Sequence, residues 1–134
     1  MDKSKILIVD DDPDLRRALN IRFRASNYET AYASDGLSAI SMAQKEKPDV
    51  IILDLGLPAG DGFVVMECLQ DIAALSCIPV IVLTARDPQS ARERIMNAGA
   101  TAFFQKPVDD RRLLSAVRAV LSPAWTGGKL HSSN

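Results

Sequence analysis

The sequence predicts a doubly wound α/β domain: a five-stranded parallel sheet in the order 2-1-3-4-5, covered by helices on both faces. Three observations carry this. Short β-rich apolar runs alternate, five times, with stretches whose apolar residues recur at helical spacing. One run, residues 50–53 (VIIL), is apolar throughout, as a strand buried on both faces must be. Several runs end at a polar residue, with Pro, Gly or another acid close behind, so polar groups gather at strand ends. Parallel neighbours need right-handed crossovers, and 2-1-3-4-5 is a common order for such a sheet.

Residues 5–9 (KILIV) form the first strand and run into Asp10, Asp11 and Asp12. Asp12 reads as a helix cap rather than a ligand, and Pro13 suits the first helical turn. The helix to about Ser26 carries Leu15, Ala18, Leu19 and Phe23 on its apolar face, and Asn27 ends it. Residues 28–33 (YETAYA) are a more polar strand that belongs nearer a sheet edge. After the Ser34-Asp35-Gly36 turn, a second helix presents Leu37, Ile40 and Ala43 and reaches about Lys47, with Pro48 as punctuation. The central strand 50–53 then leads into Asp54.

Asp61 and Gly62 open a third helix with Phe63, Met66 and Leu69 inward, followed by an irregular link from 71 to 77. Pro79 leads a fourth strand, 80–83 (VIVL), that ends at Thr84. Asp87 caps a helix that starts at Pro88, runs to about Asn97 with Ala91, Ile95 and Ala98 spaced as its apolar face, and stops at Gly99. Residues 102–105 are the fifth strand, ending at Lys106-Pro107. A last helix, about 109–121, sets Leu113, Leu114, Val117 and Leu121 on one side. From Ser122 to 134 the chain reads as a flexible tail or the start of a linker, in which Trp125 either docks or lies exposed. The domain is therefore expected at 1–121.

Composition narrows the function. The chain has 134 residues, 47% hydrophobic and 25% charged, which suits one soluble domain. A formal net charge of -1 leaves no basic footprint for nucleic acid and no polybasic membrane patch. No apolar run approaches the roughly 20 residues that span a bilayer, and the N-terminus lacks a signal-peptide pattern, so the cytoplasm is expected. Cys68 and Cys77 read as reduced, largely buried thiols. The single histidine, His131, sits in the Gly/Ser-rich tail, which argues against a His-ligated metal or a His-based triad.

In the predicted order the first, third, fourth and fifth strands are consecutive neighbours. Their carboxyl ends bring Asp10, Asp11, Asp54, Thr84 and Lys106 to one rim. Clustered carboxylates repel one another unless a cation joins them. Mg²⁺ fits, because it binds through few carboxylates and tolerates substrate phosphate. A phosphoryl group could then meet Asp54 as a carboxylate nucleophile, with Lys106 and Thr84 on its oxygens. Any one of these residues alone reads as a turn former, a cap or a solvated side chain. The set of them at four strand ends is what points to chemistry.

These motifs are those of a known family. The acidic pair in ILIVDDDP, the acid in LDLGLPAGDG, the hydroxyl in VIVLTAR and the lysine in FFQKP make the sequence resemble the receiver domain of two-component response regulators, over about 5–121. The resemblance implies a flavodoxin-like fold and Mg²⁺ held by Asp10, Asp11, Asp54 and the backbone carbonyl of Gly56. It implies phosphoryl transfer to Asp54 from a sensor histidine kinase or a His-containing phosphotransfer protein. Thr84 and Lys106 would bind the phosphoryl oxygens. Thr84 and Phe103 would act as the switch that remodels the face built from the fourth helix, fifth strand and fifth helix. As a plain core residue of an edge strand, Phe103 has a second reading. Such a protein is no enzyme in the ordinary sense, since it promotes only its own phosphorylation and dephosphorylation. Its output would pass to an effector domain or a protein target, with no direct nucleic-acid or membrane binding by this chain.

Some positions depart from the family pattern. Gly56 offers no side chain to shield the acyl phosphate and Arg86 can reach over the site, two positions that tune phosphoryl lifetime in such relatives, while the small Ala85 leaves the site open to a phosphodonor. Thr101 and Ala102 stand where many relatives carry acids, which weakens the case for a phosphorylation-dependent homodimer. Phe103 lacks the phenolic hydroxyl of the more usual tyrosine. Three alternatives remain. A haloacid-dehalogenase-type phosphatase needs a second Asp where Gly56 stands. A flavin-binding module needs a phosphate loop where Asp10, Asp11 and Asp12 would repel phosphate. An unphosphorylated docking module would not need the full polar set.

Overall fold

The structure is a computed structural model that describes residues 3–57, 62–85, 88–125 and 127; for residues 88–90 only the backbone is described. Among these residues, five strands alternate with five helices: β1 (Lys5–Val9), α1 (Pro13–Ala25), β2 (Glu29–Ala33), α2 (Gly36–Glu46), β3 (Val50–Asp54), α3 (Gly62–Asp71), β4 (Val80–Thr84), α4 (Pro88–Asn97), β5 (Ala102–Gln105) and α5 (Asp110–Leu121). The strands form one parallel sheet in the order β2-β1-β3-β4-β5, as the sequence predicts.

Burial follows the pleat. Ile6, Ile8, Ile52, Leu83, Ala102 and Phe104 face a core closed by Leu19 and Phe23 of α1 and Leu113 and Val117 of α5. Their strand neighbours Leu7, Val9, Ile51, Leu53, Val82 and Phe103 face the opposite core, closed by α2, α3 and Ile95 of α4. All five residues of β3 and of β4 are buried, so both are apolar with no alternation until the last position. β2 and β5 are the edges, and β2 shows it with Tyr32 61% exposed.

Local chemistry sets the boundaries. The Asp12 carboxylate accepts from the N–H groups of Asp14 and Leu15, capping α1 ahead of Pro13. Asp35 caps α2 by accepting from Ser38 N–H, which holds its carboxyl below the usual range. Asp109 caps α5, so the helix proper starts at Asp110. Asn27 and Lys47 end their helices in the left-handed region, and Gly99 does so after α4 with φ 107°. The predicted cap at Asp87 lies outside the described residues, as do Asp61, Arg86 and His131.

Three expectations change, and one open alternative closes. Leu37 is 84% exposed and Ala39 takes the buried place beside Ala43, because these two lie one full turn apart on the face toward the sheet. Ala18 is likewise exposed, leaving Leu19 and Phe23 as the buried pair of α1. Cys77 is exposed in the irregular α3–β4 link and Cys68 is half-buried, on the side of α3 away from Phe63, Met66 and Leu69. Beyond α5 the chain does not leave the domain at once. Trp125 N–H donates to the Ser122 carbonyl, and the partly buried indole packs on the α1/α5 core. No helix among the described residues is long and apolar enough to cross a membrane.

Candidate active site

The parallel register carries the polar strand ends to one rim. Backbone bonds fix them there: Asp10 N–H to Ala33 O at 3.1 Å, Leu55 N–H to Leu83 O at 3.1 Å, and Lys106 N–H to Thr84 O at 2.8 Å. Lys106 is followed by a cis peptide bond to Pro107. Its Nζ donates to Asp10 Oδ2 at 2.8 Å and lies 3.4 Å from Asp54 Oδ1. Asp10 and Asp54 are 2% and 5% exposed, so the ammonium pairs with charges that have lost most of their water.

Carboxylate oxygens of Asp10, Asp11 and Asp54 all lie within 4.8 Å of one another, with Asp11 exposed. This set suits a hard divalent cation with oxygen ligands. The electrostatics agree. Burial raises the Asp54 carboxyl above its ordinary value and the Asp10 charge adds to that, against the lowering effects of the Gly56 N–H and Lys106. For Lys106, burial works downward, but the hydrogen bond and charge of Asp10, then Asp54, outweigh it and raise the ammonium.

Thr84 is 1% exposed at the end of β4. Its register partner is Gln105, and Val82 pairs with Phe103, so Thr84 and Phe103 point to the same face of the sheet on adjacent strands. Phe103 is 7% exposed within the core on the α2–α4 side. Thr101 and Ala102, at the head of β5, are both buried. Ala85 is exposed beside the site.

Two supports escaped the sequence reading. Arg16 donates from Nη1 to the Asp10 carbonyl at 2.7 Å while its guanidinium lies 5.5 Å from the Tyr32 ring centroid, so α1 holds the acidic loop. The only hint in the sequence was an arginine one turn into a helix that starts beside that loop. Gly62 lies so close to the end of β3 that a Cβ would come within 2.6 Å of Leu55 Cα and 2.9 Å of the Asp54 carbonyl. A Cβ at Gly56, by contrast, would rest 3.5 Å from Asp54 Oδ1, in ordinary contact with the carboxylate.

Comparison with known proteins gives this rim its context. The family model for the response regulator receiver domain matches residues 6–118. The response regulator PleD of Caulobacter vibrioides is 38% identical over 117 residues, which are 87% of this chain and 26% of PleD. The chemotaxis response regulator CheY4 of Vibrio cholerae has a similar structure, with a TM-score of 0.82 at 30% identity over 90% of this chain and all of CheY4. The receiver domain of the sensor histidine kinase PA1611 of Pseudomonas aeruginosa, solved with a magnesium ion coordinated in its active-site cleft, aligns at a TM-score of 0.79 and 26% identity, covering 87% of this chain and 96% of that one. The chain thus spans about a quarter of PleD; it spans 46–50% of several other curated relatives and 98% of another. This chain belongs to the response regulator receiver domain family. It is a two-component receiver with the flavodoxin-like fold, and the phosphatase alternative falls away. Receivers accept phosphoryl groups, bind Mg²⁺ at an acidic pocket, and interact with histidine kinases and effectors.

Proposed function

We propose that Asp54 is the phosphoacceptor, that Asp10, Asp11, Asp54 and the Gly56 carbonyl hold Mg²⁺, and that Lys106 and Thr84 bind the transferred group. The observation that carries this reading is the Lys106 ammonium bridging two buried carboxylates beside a third acid. Mg²⁺, when bound, neutralises charge on the phosphoryl oxygens. In the transfer, an Asp54 oxygen attacks phosphorus of a donor phosphohistidine. The new P–O bond forms as the P–N bond breaks, and the imidazole leaves with the electron pair and takes a proton from solvent. Lys106 supplies a positive charge where the equatorial oxygens gather charge. Gly56 N–H, 3.0 Å from Asp54 Oδ1, orients the carboxylate.

The chemistry is self-directed: the chain acts on its own carboxylate and has no further substrate. The donor is a sensor histidine kinase or a His-containing phosphotransfer protein, and output goes to an effector domain or protein target without direct contact of this chain to nucleic acid or membrane. Thr84 and Phe103, on one face of neighbouring strands, are the switch toward the α4-β5-α5 face. The receiver unit is assigned to 1–121 and the remainder to a tail or linker that begins with the Trp125 turn. A cytoplasmic location suits this role. Incubation of the chain and its Asp54→Asn variant with a phosphorylated histidine donor and Mg²⁺ tests the reading: label on the parent chain alone supports it, and equal label on both refutes it.

A further inference from the structure

Over its described side chains, residues 91–97, helix α4 buries little against the domain. Among its described side chains Ile95 alone is fully buried, with Ala91 and Met96 partly so. Elements with few buried contacts sit at the low end of local stability, so any added tether weighs heavily on them. The structure supplies one. The guanidinium carbon of the exposed Arg94 lies 3.8 Å from the ring centroid of Phe63, the second residue of α3. Helical side chains lean toward their own N-terminus, so an arginine late in α4 reaches back toward the rim that holds Asp54. At the other end, Gly99 packs under the Gln70 side chain so closely that a Cβ would run into its amide.

Phe63 is also not an ordinary core residue. It follows Gly62, whose N–H donates to the Leu55 carbonyl at 3.1 Å and where an added Cβ would fall 2.6 Å from Leu55 Cα and 2.9 Å from the Asp54 carbonyl. The start of α3 is therefore packed and hydrogen-bonded directly onto the residue that follows β3. Phe63 is 8% exposed, packed in the core on one side and met by Arg94. A continuous chain of contacts runs from the Asp54 backbone through Gly62 and Phe63 to Arg94 and α4.

We propose that Arg94 is a positioning residue: its stack on Phe63 ties α4 to the segment that follows Asp54, giving the acceptor a second mechanical route to α4 besides Thr84 and Phe103. The proposal rests on Asp54 as acceptor for its functional meaning, but the tether is measurable without it.

The test is hydrogen exchange by mass spectrometry on the whole chain, its Arg94→Gln and Phe63→Leu variants and the double variant, with and without Mg²⁺ and beryllofluoride. An exposed cation–π pair has the strength to change local opening about two- to fivefold. Without beryllofluoride, each single variant is expected to raise exchange by that factor in peptides of α4 and also in peptides covering 55–63. The double variant should add nothing further, and α1 and α5 should stay unchanged. A role confined to the stability of α4 would leave 55–63 unmoved. With Mg²⁺ and beryllofluoride, the parent should change in both segments. Arg94→Gln should still respond at 55–63 but lose at least half of the response in α4. An α4 response equal to that of the parent, or single-variant effects that add fully, overturns the tether. If the parent does not respond at all, the acceptor reading fails, and the tether is then decided by the unliganded comparison alone.

Discussion

The Lys106 ammonium donates to the Asp10 carboxylate at 2.8 Å, across 96 residues of sequence. Asp10 is almost wholly buried, and its carboxylate accepts in addition from the Asp12 N–H at 2.9 Å. Breaking a buried pair from one side strands the other charge. Lys106→Met should cost about 2–3 kcal/mol in urea unfolding with a chelator present, less than a fully buried pair because Lys106 keeps some water. Mg²⁺ should return part of the loss, since it binds the folded form. A raised ammonium pKa means this stabilisation is complete below pH 10.5, the ordinary lysine value, and is lost only as pH climbs through the higher folded value.

Asp54 gives the opposite sign. Its carboxyl is raised above the ordinary 3.8, chiefly by burial, so the folded state holds the proton more tightly than the unfolded state. The group therefore favours folding below pH 3.8 and ceases to as pH rises through the folded value. In chelator, Asp54→Asn should unfold at a higher temperature than the parent at neutral pH. The gap should narrow as pH falls toward 3.8. A gap that widens on acidification would contradict the assignment.

Asp11 separates metal binding from stability, because it is the exposed member of the acid cluster. Asp11→Asn should weaken Mg²⁺ at least about tenfold, as loss of even an indirect partner of a metal site does. Unfolding without metal should shift by no more than about 0.5 kcal/mol. Mg²⁺ titration by calorimetry, paired with chelated melts, reads both.

The two glycines near Asp54, the proposed acceptor, should part company. Gly62→Ala forces a Cβ onto the backbone of Asp54 and Leu55, which cannot step aside, and should cost about 1–3 kcal/mol. Gly56→Ala has room and should change stability by no more than about 0.5 kcal/mol. A longer side chain, Gly56→Met, should cover the Asp54 carboxylate and slow loss of the phosphoryl group, measured as decay of labelled protein after donor removal.

The sheet order and the converging rim were legible because period and punctuation encode them. A short, β-branched, all-apolar run bounded by Pro and Gly reads as an inner strand, and in a parallel sheet the carboxyl ends of all strands fall on one edge. The polar ends Asp10, Asp54, Thr84 and Lys106 followed from that. The helix faces were less legible. Leu37 and Ala39 lie two residues apart on α2 and so on opposite sides of it, and a reading weighted to large apolar side chains picks Leu37 although the small Ala39 is the one that fits the sheet. Of the two places open to Trp125, composition could not choose: a lone indole among Gly and Ser docks only where core is left to cover, and here it is. Contacts such as Arg16 on the Asp10 carbonyl and Arg94 on Phe63 leave no pattern in the sequence, because a long cation can reach many places and only packing selects one.

The account stands or falls on where the phosphoryl group lands. Phosphorylation with acetyl phosphate and Mg²⁺, followed by borohydride reduction and peptide mapping, converts an aspartyl phosphate to homoserine and marks its position. Homoserine at position 54 is the predicted result. Homoserine at 10, 11 or any other acid, with position 54 unchanged, would contradict it.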